Sequence, residues 1–244
     1  MVIVKDQLDP DLRKIIKKQK KAIIIPVGSI EQHGPHLPIS TDSDIVTEVA
    51  KRVSEKCNFL LLPTLSYGVS FEHFPFFNLS VKKKTLEQIL IDICLSLSSN
   101  DIDTIFIING HHGNQKALEN LSKKINRLSK KKTKVFVFSY WHFMKHEFDH
   151  AGFVETSLML AISKKIKINR AKKGLITKNL SENEKSRLSK LASKSFPSVT
   201  KNGVWGDPTK STAKEGRKLL AEIVRNLAKK SQTCLTDKSR KLHH

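Results

Sequence analysis

The sequence has little cysteine: Cys57, Cys94 and Cys234, far apart and with no Cys-x-x-Cys pair. A disulfide framework and a cysteine-held zinc site are both excluded as expectations, and a reducing cytoplasm is the natural compartment. Long apolar runs are missing as well. No stretch reaches the ~20 residues that cross a bilayer, so no membrane partner is expected. The opening MVIVKDQLDPDLRK carries acidic groups and no long apolar core, so it does not read as a secretory leader. There is no internal repeat and no linker that forces a division, and residues 1–244 read as one domain.

Acidic residues are scarce beside basic ones: 23 Asp and Glu against 44 Lys and Arg, a net charge of +21. A nucleic-acid or membrane-surface partner is the sharp reading of that excess. The charge is mostly lysine, however, spread over Lys82–Lys84, Lys130–Lys132 and Lys172-Lys173. No arginine–aromatic cluster suited to stacking on bases accompanies it, so a solvated lysine-rich surface is the simpler reading. Its positive field would draw in a small anionic substrate such as a phosphate ester. The closing KLHH reads as the stub of a purification tag, and His243 and His244 receive no function.

What is present is an alternation of apolar runs and amphipathic segments. Residues 10–20 read as a short polar helix and Lys21–Val27 as the first buried strand. A helix follows with Ile45, Val49 and Val53 on one stripe, and Asp42 or Ser43 is suited to cap it. Phe59–Leu62, Thr104–Ile108 and Val135–Phe138 read as further strands. Helices are expected over Leu86–Leu97, Ala117–Leu128 and Glu155–Ile162, residues 181–196 read as a polar lysine-rich helix or a mobile insertion, and a final helix runs through Leu220 and Leu227. Continuous apolar strands alternating with helices predict an α/β fold with three layers, a mainly parallel sheet covered on both faces. Ligand sites in such sheets lie beyond the carboxyl ends of the strands.

Three such strand ends carry ionisable side chains. After the first comes GSIEQHGPHLPISTDSD (28–44), with Glu31, His33, His36, Asp42 and Asp44 between prolines and glycines. In an extended segment residues i and i+2 point the same way, so Glu31 and His33 can reach one metal ion or two adjacent ones. NGHHGN (109–114) supplies His111, and Glu155 lies beyond the next strand. Each has an ordinary alternative: a solvated loop acid for Glu31, a helix cap for Asp42, a buried histidine donating to a carbonyl for His111, a helix-dipole partner for Glu155. The three clusters together point to a metal centre, in which two divalent ions ~3.5–4 Å apart sharing a carboxylate activate water at neutral pH.

EQHGPHLP with TDSD, then NGHHGN, HAGFVETS (150–157) and GVWGDPTKSTAKEG (203–216), resemble in order the signature blocks of the creatininase family of metal-dependent amidohydrolases. The resemblance spans roughly residues 22–220. It implies that Glu31 ligates one ion and His33 the other, that Asp42 bridges them, and that His111 completes the first shell. Where creatininase proper has a glutamate two residues after this histidine, the chain has Gly113, and Glu155 is the replacement. His150 matches the family's proton-shuttling histidine. Such a glycine resembles the archaeal formamidopyrimidine-ribotide deformylases and the mycofactocin-type peptidases more than creatininase proper.

The tryptophan that covers substrate in creatininase is replaced by His146, which with Glu72 and His73 of the 67–80 loop is a candidate substrate contact. Trp141 and Trp205 read as core or rim, and His36 and His112 as neighbours of the site. The expected function is hydrolysis of a non-peptide C–N bond in a small molecule, first a formamido-pyrimidine ribotide, with creatinine, a short peptide and a catalytically inert nucleic-acid binder as alternatives. His150 and Glu155 are the expected catalytic pair. One or two ions of zinc, iron(II) or manganese suit the donors, and the family implies a homo-oligomer.

Overall fold

A computed structural model describes residues 2–19, 22–129 and 133–236. Lys130–Lys132 and the terminal His243 and His244 lie outside the described residues. In chain order the strands are β1 (Val2–Ile3), β2 (Ile23–Val27), β3 (Leu60–Leu61), β4 (Thr104–Asn109) and β5 (Lys134–Ser139). The helices are α1 (Asp9–Gln19), α2 (Thr41–Cys57), α3 (Lys83–Ser99), α4 (Gln115–Leu118), α5 (Leu121–Leu128), α6 (Phe153–Ile162), α7 (Glu182–Ala192) and α8 (Ala213–Thr236).

Among the described residues the five strands are parallel, in the order β1-β3-β2-β4-β5. The expected three layers follow from side-chain alternation along β2 and β4. Ile24, Phe106 and Ile108 face the helices α2, α6 and α8, in a core with Val49, Leu158 and Ile223. Ile23, Ile25, Ile105 and Ile107 face the opposite way, onto α3, α4 and α5 through Leu90, Leu118 and Ile125. A strand covered on both faces is apolar along most of its length, which is why β2 and the Ile105–Ile108 part of β4 are continuous apolar runs with every residue buried.

Three expectations need correction. β1 was not foreseen: two residues pairing with β3 carry too little pattern to read. The helix expected over Ala117–Leu128 is two, because Asn120 leaves helical geometry at φ −111°, ψ 12° and starts α5. Neither Asp42 nor Ser43 caps α2. The cap position is Ser40, its side chain makes no capping bond, and Asp42 lies inside the first turn.

Strand order fixes where a site can form. From β2 the chain crosses to β3 on one side, while β4 on the other side of β2 leads on to β5. Loops leaving β2 and β4 therefore diverge, opening a crevice at their carboxyl ends.

Candidate metal centre

The crevice gathers the acidic and imidazole groups of all three strand ends. Glu31 and His33 enter on the loop after β2, Asp42 on the first turn of α2, His111 after β4 and Glu155 on the first turn of α6. Glu31, His33 and Glu155 are fully buried, and Asp42 and His111 nearly so. Ligand atoms of Glu31, Asp42 and His111 lie within 4.8 Å of one another, as do those of His33, Asp42 and Glu155. Asp42 belongs to both triads. Its Oδ1 is 3.3 Å from His33 Nε2 and its Oδ2 is 3.0 Å from His111 Nδ1.

Glu31 Oε1, His33 Nε2, Asp42 Oδ2 and Glu155 Oε1 are buried and have no hydrogen-bond partner. Orphaned buried polar atoms are expensive unless something else satisfies them. Their outer atoms, by contrast, are satisfied. His33 Nδ1 donates to the Glu31 carbonyl (3.0 Å), and His111 Nε2 to the Val69 carbonyl (2.8 Å). Glu31 Oε2 accepts from Ser29 Oγ (3.1 Å), and Glu155 Oε2 from the Ala151 N–H (2.7 Å). One nitrogen or oxygen tied outward and the other left free toward a common centre is the arrangement that orients metal ligands. The donor set, imidazole and carboxylate, fits a divalent ion.

The electrostatics agree. Burial opposes charge on His33 and His111, yet the carboxylates around them, Asp42 and Glu155 at His33 and Glu31 and Asp42 at His111, raise both to about 10. Burial also works against an ionised Asp42, but His33 and His111 pull it far below the usual carboxylate range. Glu155 is raised to about 8, by burial first, against the pull of His33. Protons thus occupy the places of cations in a centre that otherwise confines excess negative charge.

The centre forms the floor of a cavity of about 600 Å³. His150 lines it, with Nδ1 3.9 Å from Glu31 Oε1, and burial holds its imidazole well below the ordinary range. Glu72 lines it as well, with Oε1 4.0 Å from His111 Nε2. His73 sits deeper, its Nε2 3.0 Å from Glu31 Oε1, where it braces the carboxylate. The 67–80 loop reaches the centre because position 113 is glycine: a Cβ there would lie 2.2 Å from the Val69 carbonyl and 2.7 Å from Glu72 Oε1. Trp205 is on the wall, and Trp141 is buried beside Phe148.

His146 is a correction. It does not line the cavity; its ring stacks on Phe153 at 5.9 Å, outside the crevice. His36 and His112 are neighbours of the centre, the first bonded to Thr156 Oγ1 at 2.8 Å and the second on the cavity wall. Asp44 is bonded to Ser40 Oγ (2.9 Å).

Two residues the sequence reading passed over matter here. Asp149 accepts from the N–H groups of Val154 (2.9 Å) and Glu155 (3.3 Å), so it holds the start of the helix that carries Glu155. Asp149 stands three residues before the cap position Gly152, outside the place where a capping side chain is sought, so its spacing does not mark it. Gln32, between the two foreseen ligands, bonds to both His73 and His150. Nothing in its spacing marks it.

Known proteins with this arrangement of blocks are recognisable by comparison. A mycofactocin precursor peptide peptidase from Mycobacterium ulcerans is 32% identical over 219 residues, covering 83% of this chain and 81% of its own. The 2-amino-5-formylamino-6-ribosylaminopyrimidin-4(3H)-one 5'-monophosphate deformylase of Methanosphaera stadtmanae is 32% identical over 137 residues, 54% of this chain and 57% of its own. A manganese form of creatininase shares the fold at a TM-score of 0.80 and 22% identity, over 96% of this chain and 99% of its own. The creatininase (creatinine amidohydrolase) family model matches residues 6–230, and the chain belongs to this family of metal-dependent amidohydrolases, which act on C–N bonds.

Proposed function

We propose that the chain hydrolyses a C–N bond in a small anionic molecule, with a formamide on a phosphorylated ribosylaminopyrimidine as the favoured substrate. The shared carboxylate carries the reading. Asp42 turns one oxygen to each of two histidines, and Glu31 and Glu155 complete a triad on either side. Glu31, Asp42 and His111 would hold one divalent ion and His33, Asp42 and Glu155 a second, zinc, iron(II) or manganese suiting the donors. When bound, such ions lower the pKa of water and polarise the carbonyl under attack.

The chain's own residues do the remaining work. Ser29, the Ala151 N–H and the Glu31 and Val69 carbonyls fix the ligands' orientation, so the centre is formed before substrate arrives. His150 takes the proton from the attacking water and returns it to the departing nitrogen. Burial, with repulsion from His33 and His73, keeps its imidazole neutral and able to accept that proton. Phe196 and Trp205 wall the cavity and limit the water that competes for the amide.

Lys83 and Lys116 line the same cavity and have no hydrogen bond or ion pair to another described residue. They suit a phosphate on the substrate. The longer likeness to the mycofactocin-type peptidase favours a second reading, cleavage of a short peptide. Incubation of the metal-loaded protein with a formamido-pyrimidine ribotide should release formate. No formate, with release of an amine from a short peptide instead, would replace the first reading by the second.

A further inference from the structure

The loop of residues 67–80, between β3 and α3, has two sides. Its ends are tied together: the Val81 N–H donates to the Gly68 carbonyl at 2.9 Å, and the Ser70 N–H to Ser80 Oγ at 2.8 Å. Its inner side delivers Glu72 and the buried His73 to the cavity. Its outer side is apolar and in water. Tyr67, Phe71, Phe74 and Phe77 are each between 53% and 75% exposed, and Leu79 is exposed beside them. Ile39, also exposed, joins this face from the loop after β2, because main-chain bonds lace the two loops together. The Gln32 N–H donates to the Phe77 carbonyl (2.9 Å), the Leu79 N–H to Ile30 (2.8 Å) and the Glu31 N–H to Ile39 (3.0 Å). None of the six apolar side chains lines the cavity.

The area is large. At about 200 Å² for an aromatic side chain, the four rings alone leave on the order of 500 Å² in water. That equals the largest apolar patch a typical monomer exposes. Two such patches facing each other bury about 1,000 Å² before Ile39 and Leu79 are counted, which reaches the size of a specific interface.

Charge selects the occupant. At a net charge of +21 two copies repel, so a face on which they meet must lie where that charge is absent. The sequence has 44 Lys and Arg, yet none in residues 22–50 or 57–81, the two stretches that supply this face. Lysine returns at its border, in Lys82–Lys84. An apolar centre with a charged rim is the anatomy of a protein interface. An anionic membrane would instead be met by basic groups set among the aromatics.

We propose that the face formed by Ile39, Tyr67, Phe71, Phe74, Phe77 and Leu79 is an isologous interface between two copies of this chain, the rings of each packing on those of the other. His73 lies between Phe71 and Phe74, so the second copy also backs the segment that holds His73 against Glu31. The proposal is independent of the substrate.

Sedimentation velocity of the metal-loaded full chain at micromolar concentration tests it. The unaltered protein should sediment as a dimer or as an assembly built from dimers. Phe74→Asp sets a charge in the middle of the face and should halve the mass, with the protein still folded by circular dichroism. Phe77→Asp should do the same and decides the matter if Phe74→Asp does not fold. Leu128 is 55% exposed and ends α5 just before β5, at the opposite rim of the sheet, so Leu128→Asp should leave the mass unchanged. An unaltered protein of monomer mass, folded Phe74→Asp and Phe77→Asp variants that keep the full mass, or a Leu128→Asp variant that loses it equally would each overturn the proposal. A monomer that binds vesicles of anionic lipid through Phe74 would assign the face to a membrane instead.

Discussion

Loading the centre with divalent ions should expel about three protons per chain at neutral pH, because every ligand must be deprotonated to bind. In the metal-free protein, burial disfavours charge on His33 and His111, but the carboxylates facing them raise each to about 10. Burial raises Glu155 to about 8. Each of these three groups therefore holds its proton at neutral pH, while Asp42 is already ionised. Three displaced protons make the summed apparent affinity rise about a thousandfold per pH unit until Glu155 titrates, on the order of 4 kcal/mol. Stability follows the same groups. All three are raised above their ordinary values of 6.5 and 4.5, so the stabilisation they give the metal-free fold is complete below those values. It is lost as pH climbs through about 8 and then about 10. The span from 6.5 to about 10 corresponds to at most about 5 kcal/mol per histidine. The metal-free protein should then melt at falling temperature from neutral pH upward, while the loaded protein does not. Calorimetric titration of chelator-stripped protein in two buffers of different ionisation enthalpy counts the protons directly. Release of fewer than one proton, or an affinity flat with pH, would refute the convergence of these ligands on shared ions.

Asp42→Ala removes the carboxylate common to both triads, so elemental analysis should find both ions lost together and hydrolysis abolished; retention of one ion would mean the triads are independent. His150→Ala should keep its metal and lose about 10²–10⁴ in kcat, read by hydrolysis assay beside metal content. His146→Ala should leave kcat and KM unchanged, since the ring stacks on Phe153 outside the cavity. Gly113→Ala forces a Cβ to 2.2 Å from the Val69 carbonyl and should destabilise the fold by about 1–3 kcal/mol, seen as a lowered Tm.

Much of the fold could be read from the chain because periodicity encodes burial directly. Continuous apolar strands must be covered on both faces, and Ile23 to Val27 and Ile105 to Ile108 are such runs. The stripe through Ile45, Val49 and Val53 likewise packs as the spacing requires. The elements misread were those with too few residues to hold a pattern, β1 and the α4–α5 break. Asp42 was ambiguous for a different reason. A helix's first turn suits a carboxylate whether it caps the helix or faces a neighbour, and only the arrival of His33 and His111 on opposite sides separates the two.

The chain's own pattern specifies the kinds of group available: carboxylates and imidazoles, each just beyond an apolar strand. It also determined the layered parallel sheet that brings strand ends to one rim. Which of them meet depends on how the strands and helices are packed together. His146 and Asp149 lie three residues apart, yet one stacks outside the crevice and the other holds the helix bearing Glu155. Glu72 and His73 come from a loop between β3 and α3, and reach the centre only because Gly113 leaves the room. Spacing along a chain fixes the direction of a side chain relative to its own strand or helix. Contact across a crevice depends on strand order, here the divergence of β2 and β4, and no single segment records that order.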